Sequence, residues 1–451
     1  MDNAIVITGA GCRFAGTAGA EAFWRHTLAN ETLLSPFPGA HELLAKAEAI
    51  GQPWLRPPRR VGLLGALYSH DPDALDLPAD AEPFSPDAFF AAQLAVEALR
   101  DAGLSPRAPA PGRAGVYIGY ANPFSPAMET VLQHLHGVDQ TVALARNLSP
   151  HADEAQLASL SRHLRAALPK FSRAAAQNAH PHALAAEVSA LLGFAGPARI
   201  ACDGHVAFMA ALRAAVDDLG AERADTAVVG ALSPPFTAAT LLAACALLET
   251  TRHEVPHALC RTADGTAPGE GAAFFVLQRA APQSAFKSAP YAEVRAVALA
   301  SGAAAEDRAL GAALREAGAE PAAFGYVETH GSGVAREDNA ELDALCRAFD
   351  PVGRLAAPVA VGTAKPMFGH TLAASGAAGF LRAALALRQR VVPPSVVAAK
   401  PHVCLARPRA PLHLPEEPRP WVAGAASRLA GVTAMDPAGL CANVVLRERH
   451  A

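Results

Sequence analysis

The chain has 451 residues, 51% of them hydrophobic and 18% charged, which is material for one large core or two fused ones and not the composition of a disordered chain. Its 42 acidic residues nearly balance 38 basic ones, for a net charge of -4, so the charge pattern favours neither nucleic acid nor an anionic membrane as a partner. The start, Met1 to Gly9, has no basic n-region and no long apolar stretch, and no run of about 18 uncharged apolar residues follows, so a cytoplasmic chain is expected.

Taken in chain order, short β-branched and apolar runs ending in Gly or small residues, each followed by an Ala/Leu-rich helical pattern, predict an α/β layered fold. The first half offers strands at Ala4 to Gly9, Gly115 to Gly119, Ala198 to Ala201, Thr226 to Gly230 and Ala273 to Leu277. The second offers Glu293 to Ala298, Phe324 to Glu328, Val359 to Gly362, Gly431 to Ala434 and Ala442 to Leu446. For any single run, periodicity leaves a buried helical segment open as the alternative. Five and five, with the third strand of each half leading into a small-residue turn and a helix, predicts an internal duplication of one α/β unit. The break falls near Ala281 to Ala289, a stretch of linker composition, giving domains 1–280 and 289–451.

Between Ala121 and His182 helical stretches rich in His and Arg predict a cap over the sheet. Its histidines (His134, His136, His151, His163, His180, His182) have no HExxH or other ligand spacing, so they read as solvated or capping groups and no metal is expected. Seven cysteines (Cys12, Cys202, Cys245, Cys260, Cys346, Cys404, Cys441) are odd in number, scattered and free of CxxC spacing. That pattern argues against a disulfide framework and a zinc site and predicts small buried hydrophobes.

Three segments carry the chemistry. They are Val327-Glu-Thr-His330-Gly-Ser-Gly333 with Asp338 and Glu341, Gly362-Thr-Ala-Lys365-Pro-Met-Phe-Gly-His370-Thr, and Asp264-Gly-Thr-Ala-Pro-Gly-Glu-Gly271. Each is a strand running into a small-residue turn, and such turns place polar side chains at strand ends, where open α/β sheets build their sites. One histidine in such a turn reads as structural, but two histidines and a lysine, each in its own turn, point to a shared site.

These segments resemble the β-ketoacyl synthase family of fatty-acid and polyketide condensing enzymes, an acyltransferase family with the thiolase-like fold. The family's ETHGTGT…GD..E run matches Glu328-Thr-His330-Gly331-Ser-Gly333 with Asp338 and Glu341. Its K-x-x-x-GHTEAAAG run matches Lys365, Gly369-His370-Thr371 and Ala373-Ala374-Ser-Gly376, and Ile5 to Gly16 is similar to the family's VGMGCRFPG opening. The resemblance covers essentially the whole chain. It implies two fused five-stranded halves in an αβαβα arrangement, no bound cofactor, and substrates presented on the phosphopantetheine of an acyl carrier protein. In the family a Cys thiolate takes the acyl chain and two His polarise a malonyl thioester and assist its decarboxylation.

The nucleophile segment departs from the family. Against GPSxxVDTACSSSLVAL the run Gly196-Pro197-Ala-Arg-Ile-Ala-Cys202-Asp-Gly-His205-Val-Ala-Phe-Met-Ala-Ala-Leu212 aligns without a gap and puts His205 at the catalytic Cys. Cys202 lies three residues earlier, at the family's Asp, and could serve only if the turn were redrawn. The positive end of the helix dipole pushes a histidine there toward its neutral form, and an acyl-imidazole would tend to hydrolyse. Near the other end, the family's GFGGTNAHVVL run, registered backwards from Leu446, puts Pro437 at its second Phe, and proline has no N–H to donate to an oxyanion hole. Such a donor is worth about 3 kcal/mol. Thr266 for a Phe and Leu372 for a Glu are smaller departures.

The expected site is therefore His205, His330, His370 and Lys365, with Pro437, Thr266 and Phe208 against the substrate. Three functions fit. The first is a non-condensing subunit, comparable to chain-length factors, that shapes the acyl tunnel of a Cys-bearing partner in a heterodimer, or pairs with itself, through the strand Ala198 to Ala201. The second is a malonyl-carrier decarboxylase using the retained His/His/Lys. The third is acyl transfer or hydrolysis through His205.

Overall fold

The computed structural model describes residues 4–449 except 38, 40–44, 46–48, 50, 52–57, 70–74, 76–84, 107–112, 122–125, 169–179, 281–285, 287, 351–356 and 423–426. All ten predicted strands form: β1 (Ile5–Phe14), β2 (Ala114–Tyr120), β3 (Ala198–Ala201), β4 (Thr226–Ser233) and β5 (Gly271–Arg279) in the first half. In the second half they are β6 (Ala292–Ser301), β7 (Phe324–Glu328), β8 (Val359–Gly362), β9 (Leu429–Asp436) and β10 (Leu440–Arg447). β1 runs five residues beyond its apolar signal because Gly9 and Gly11 do not end it. They lie against the backbone of Pro86–Asp101 (α1), where a Cβ would collide with the carbonyls of Ala98 and Leu94.

The strand order is β3-β2-β4-β5-β1 in the first half and β8-β7-β9-β10-β6 in the second. In both, the second strand pairs in parallel with the third and fourth, and the fifth is antiparallel to the fourth and to the first. Identical topology is what the predicted duplication requires. The halves are stitched where Ile5, Val6 and Ile7 of β1 pair with Val294, Glu293 and Ala292 of β6.

Side-chain alternation along these strands builds the layers. On β5, Ala273, Phe275 and Leu277 join the central core while Ala272, Phe274 and Val276 face outward to a second one. The central core holds Ala207–Gly220 (α3) and Ser375–Gln389 (α6) between the two halves of the sheet. α1 and Leu184–Leu192 (α2) cover the first half, and Ala305–Ala317 (α4) and Ala335–Phe349 (α5) cover the second. The result is the five-layer αβαβα, thiolase-like arrangement.

Of the expected cap, the helices Pro126–Leu132, Val138–Leu148 and Glu154–Ala167 are described, and the expected linker at 281–289 lies largely outside the described residues. Among the described residues no helix is long and apolar enough to cross a membrane.

Candidate active site

The third strand of each half ends in a tight turn that delivers a histidine to the start of a central helix. β3 leads through Gly204–Val206 to α3 and carries His205; β8 leads through Leu372–Ala374 to α6 and carries Lys365 and His370. His330 follows β7. The three imidazoles meet, with ring centroids 4.5 Å apart for His205 and His370, 5.4 Å for His330 and His370, and 6.3 Å for the nearly parallel His205 and His330. Their exposures are 6%, 2% and 1% for His205, His330 and His370, so whatever reacts here does so out of bulk water.

The loop around His330 is held by the acidic residues of its motif. Glu341 accepts the backbone N–H groups of His330 and Gly331 at 2.7 and 2.9 Å, and Asp338 accepts those of Leu259 and Gly333 at 2.7 and 3.1 Å. Burial raises both carboxyls, Asp338 to about 7. Lys365 donates its ammonium to the carbonyl of His330, and burial lowers its pKa to about 8 against the pull of Glu341, Glu328 and other carboxylates. Lys365 therefore fixes the loop as well as charging the site.

Backbone donors settle which ring nitrogens carry protons. His330 Nδ1 accepts the N–H of Met435 at 3.3 Å, and His370 Nδ1 accepts that of Leu372 at 3.1 Å. Leu372 adopts a left-handed φ of 46°, an uncommon conformation for a leucine, and it is the residue whose N–H meets His370. Burial, then the Lys365 charge, pushes His330 down to about 4; burial, then His205, pushes His370 well below the usual imidazole value. The neutral rings thus carry their protons on Nε2, and both Nε2 atoms are buried without a hydrogen-bond partner.

One nitrogen from each of His205, His330 and His370 lies within 4.8 Å of the others, a spacing that could hold a metal ion. The chemistry of the donor set does not fit one. A metal would need the Nε2 lone pairs of His330 and His370, whereas ligating histidines carry their proton on the other nitrogen and donate it outward. Here both outward Nδ1 atoms already accept. Each ring of the pair instead presents an Nε2–H donor.

His205 is arranged differently. Its backbone N–H donates to Asp436 Oδ2 at 2.9 Å, and its Nδ1, buried and without a hydrogen-bond partner, lies 3.9 Å from the same oxygen. Burial lowers its pKa while Asp436 and Glu337 oppose the shift. Gly204 has a φ of 57°, and a side chain there would collide with the Asp436 carboxylate. Asp436 Oδ1 accepts the N–H of Ala438 at 2.9 Å, closing the turn between β9 and β10.

Two carboxylates of the site escaped the sequence reading, although both stand within the matched family runs. Asp436 stands at the first Gly of GFGGTN, and Glu337 stands at the Gly of GD. Glu337 Oε2 lies 3.5 Å from His330 Nε2 and accepts the Ser332 hydroxyl at 2.7 Å. Burial alone would raise this carboxyl, but His330 and Ser332 hold it at about 2.

The structure brings His205, His330, His370 and Lys365 together, and the three expected substrate contacts take different positions around them. Phe208 is fully buried in the central layer against Phe275 and Phe380, with centroids 5.7 and 5.3 Å away, because α3 carries its ring into the core. Thr266 is buried, paired by its backbone with Thr250, one residue before the carbonyl of Ala267 that accepts the His370 N–H at 2.6 Å. Pro437 is exposed on the β9–β10 turn, where its fixed φ suits the second turn position. Cys202 is exposed, not the buried hydrophobe expected, and Cys346 is half-buried; the other five cysteines are buried.

Comparison with known proteins agrees with this frame. The Beta-ketoacyl synthase N-terminal domain matches residues 2–283 and the C-terminal domain residues 287–398. Polyketide synthase ThaG of Burkholderia thailandensis is 28% identical over 98% of this chain and 7% of its own length. The 5-methyl-1-naphthoate synthase of Streptomyces sahachiroi is 28% identical over 82% of this chain and 19% of its own length. The chain thus spans less than a quarter of either relative. Among solved structures, the oxazolomycin ketosynthase domain of Streptomyces albus JA3453 superposes with a TM-score of 0.81 at 23% identity, covering 100% of this chain and 75% of that one. The ketosynthase from module 6 of the bacillaene synthase of Bacillus subtilis 168 gives 0.78 at 22% identity, covering 99% and 72%. By its matched domains, the chain belongs to the β-ketoacyl synthase family.

Proposed function

We propose that the chain is a non-condensing ketosynthase subunit, comparable to chain-length factors, which takes no acyl group itself and works beside a Cys-bearing ketosynthase on substrates held by an acyl carrier protein. The observation that carries this reading is the Asp436 carboxylate on the His205 N–H. An acyl-enzyme forms through a tetrahedral oxyanion that needs preorganised donors, each worth about 3 kcal/mol. One such donor, the N–H at the nucleophile position, is committed to an internal carboxylate. The attacking group is also wrong, since an imidazole at the thiol's position yields an acyl group that water removes. The edge strand β3, whose Ala198 and Arg199 are exposed, supports pairing with a second chain. Decarboxylation of a malonyl-carrier is a second reading, favoured by the free Nε2 atoms of His330 and His370 and opposed by the charge of Glu337.

The test is intact-mass analysis after incubation with acyl-loaded carrier protein, then with malonyl-loaded carrier. The wild type is expected to carry no acyl adduct and give no elongated product. His205→Cys alone should stay unacylated, while His205→Cys with Asp436→Gly should take up the acyl group. An acyl adduct or elongated product from the wild type would overturn the reading.

A further inference from the structure

Glu337 lies over the one nitrogen of His330 that can face a substrate. Its Oε2 is 3.5 Å from the buried, unpartnered Nε2, and Ser332 fixes the carboxylate from the other side at 2.7 Å. The side chain is largely buried, with an exposure of 12%, so solvent screens it little. His370 Nε2, by contrast, has no carboxylate within ion-pair distance among the described residues and no hydrogen-bond partner. The His pair therefore offers one open donor and one donor already facing a fixed anion.

We propose that Glu337 is the specificity-determining residue of the His330/His370 pair, its carboxylate filling the anion-accepting side of His330 so that the site admits neutral acyl thioesters and rejects those bearing their own carboxylate, such as malonyl. The inference rests on the reading of the chain as a non-condensing member of its family. In malonyl decarboxylation the bond from the α-carbon to the carboxylate breaks and carbon dioxide leaves. The electron pair passes through the α-carbon to the thioester oxygen, and a proton from water then gives the acetyl thioester. The incoming carboxylate and the developing enolate oxygen are both negative, and Glu337 disfavours both.

The decisive measurement is calorimetric binding of two non-hydrolysable pantetheine analogues, acetyl and malonyl, to the wild type, Glu337→Gln and Glu337→Gly, with melting curves to establish that each is folded. The wild type should bind the acetyl analogue at least tenfold more tightly, and both variants should narrow that preference to below threefold. Glu337→Gly should also release carbon dioxide from malonyl-carrier at least tenfold faster than the wild type. Equal binding by the wild type, binding of neither analogue, or an unchanged preference in a folded Glu337→Gln variant would overturn the proposal. Wild-type decarboxylation would also sink it while leaving the non-condensing reading, which falls only on an acyl adduct or an elongated product.

Discussion

At the scale of single residues, His330 connects the site to the stability of the chain. Its folded pKa of about 4 lies below the unfolded value near 6.5, so between those values the unfolded chain binds the extra proton. The stability associated with the neutral ring is present above pH 6.5 and is lost as pH falls toward 4. His330→Asn removes that dependence, so the gap in melting temperature between wild type and variant should shrink from pH 7.5 to pH 4.5. A gap that widens on acidification would contradict the assigned neutral state. The four motif side chains of this site were legible because each sits in a strand-end turn of fixed spacing. Glu337 and Asp436 were not, since a carboxylate in the first turn of a helix or at the end of a strand reads as solvated until the fold sets it against a buried N–H. Sequence could not say which way α3 turns the ring of Phe208, which the fold packs against Phe275 and Phe380.

At the scale of elements, strands were read well where apolar runs are bounded by turns, and β3, β7 and β8 have the predicted bounds. The end of β1, marked by Gly9, was read short, because Gly9 and Gly11 serve the approach of a helix rather than a turn. The sequence pattern could not foresee how α6 is fixed between the halves of the sheet. Arg382 of α6 is fully buried and donates to Glu328 at the end of β7 at 2.8 Å and to the carbonyl of Pro394. Glu328 also accepts the Ala364 N–H at 2.8 Å and the Tyr326 hydroxyl. Arg382→Leu strands this carboxylate in the core and should cost about 3–5 kcal/mol in urea denaturation. Replacing both partners, with Glu328→Gln added, should recover part of the loss. A single variant as stable as the wild type would mean that the pair holds nothing together.

At the scale of the whole molecule, β3 ends the sheet with an open edge, and ketosynthase-family pairing through such a strand predicts a particle of twice the 46.4 kDa chain. Native mass spectrometry should find that dimer. On mixing with a Cys-bearing ketosynthase of the same pathway, a mixed dimer should grow at its expense; two species that never exchange would remove the partner from the proposal. The duplication was readable from five strands and five, but that the copies share strand order and pairing sense came only from the fold. That shared order has a consequence for ancestry. His205 and His370 each lie between the third strand of their repeat and its central helix, α3 or α6, so each repeat contributes one imidazole to the site. What tells one copy from the other at this seam is what the second repeat adds alone: His330, Lys365, and the carboxylates of Asp436 beside His205 and Glu337 beside His330.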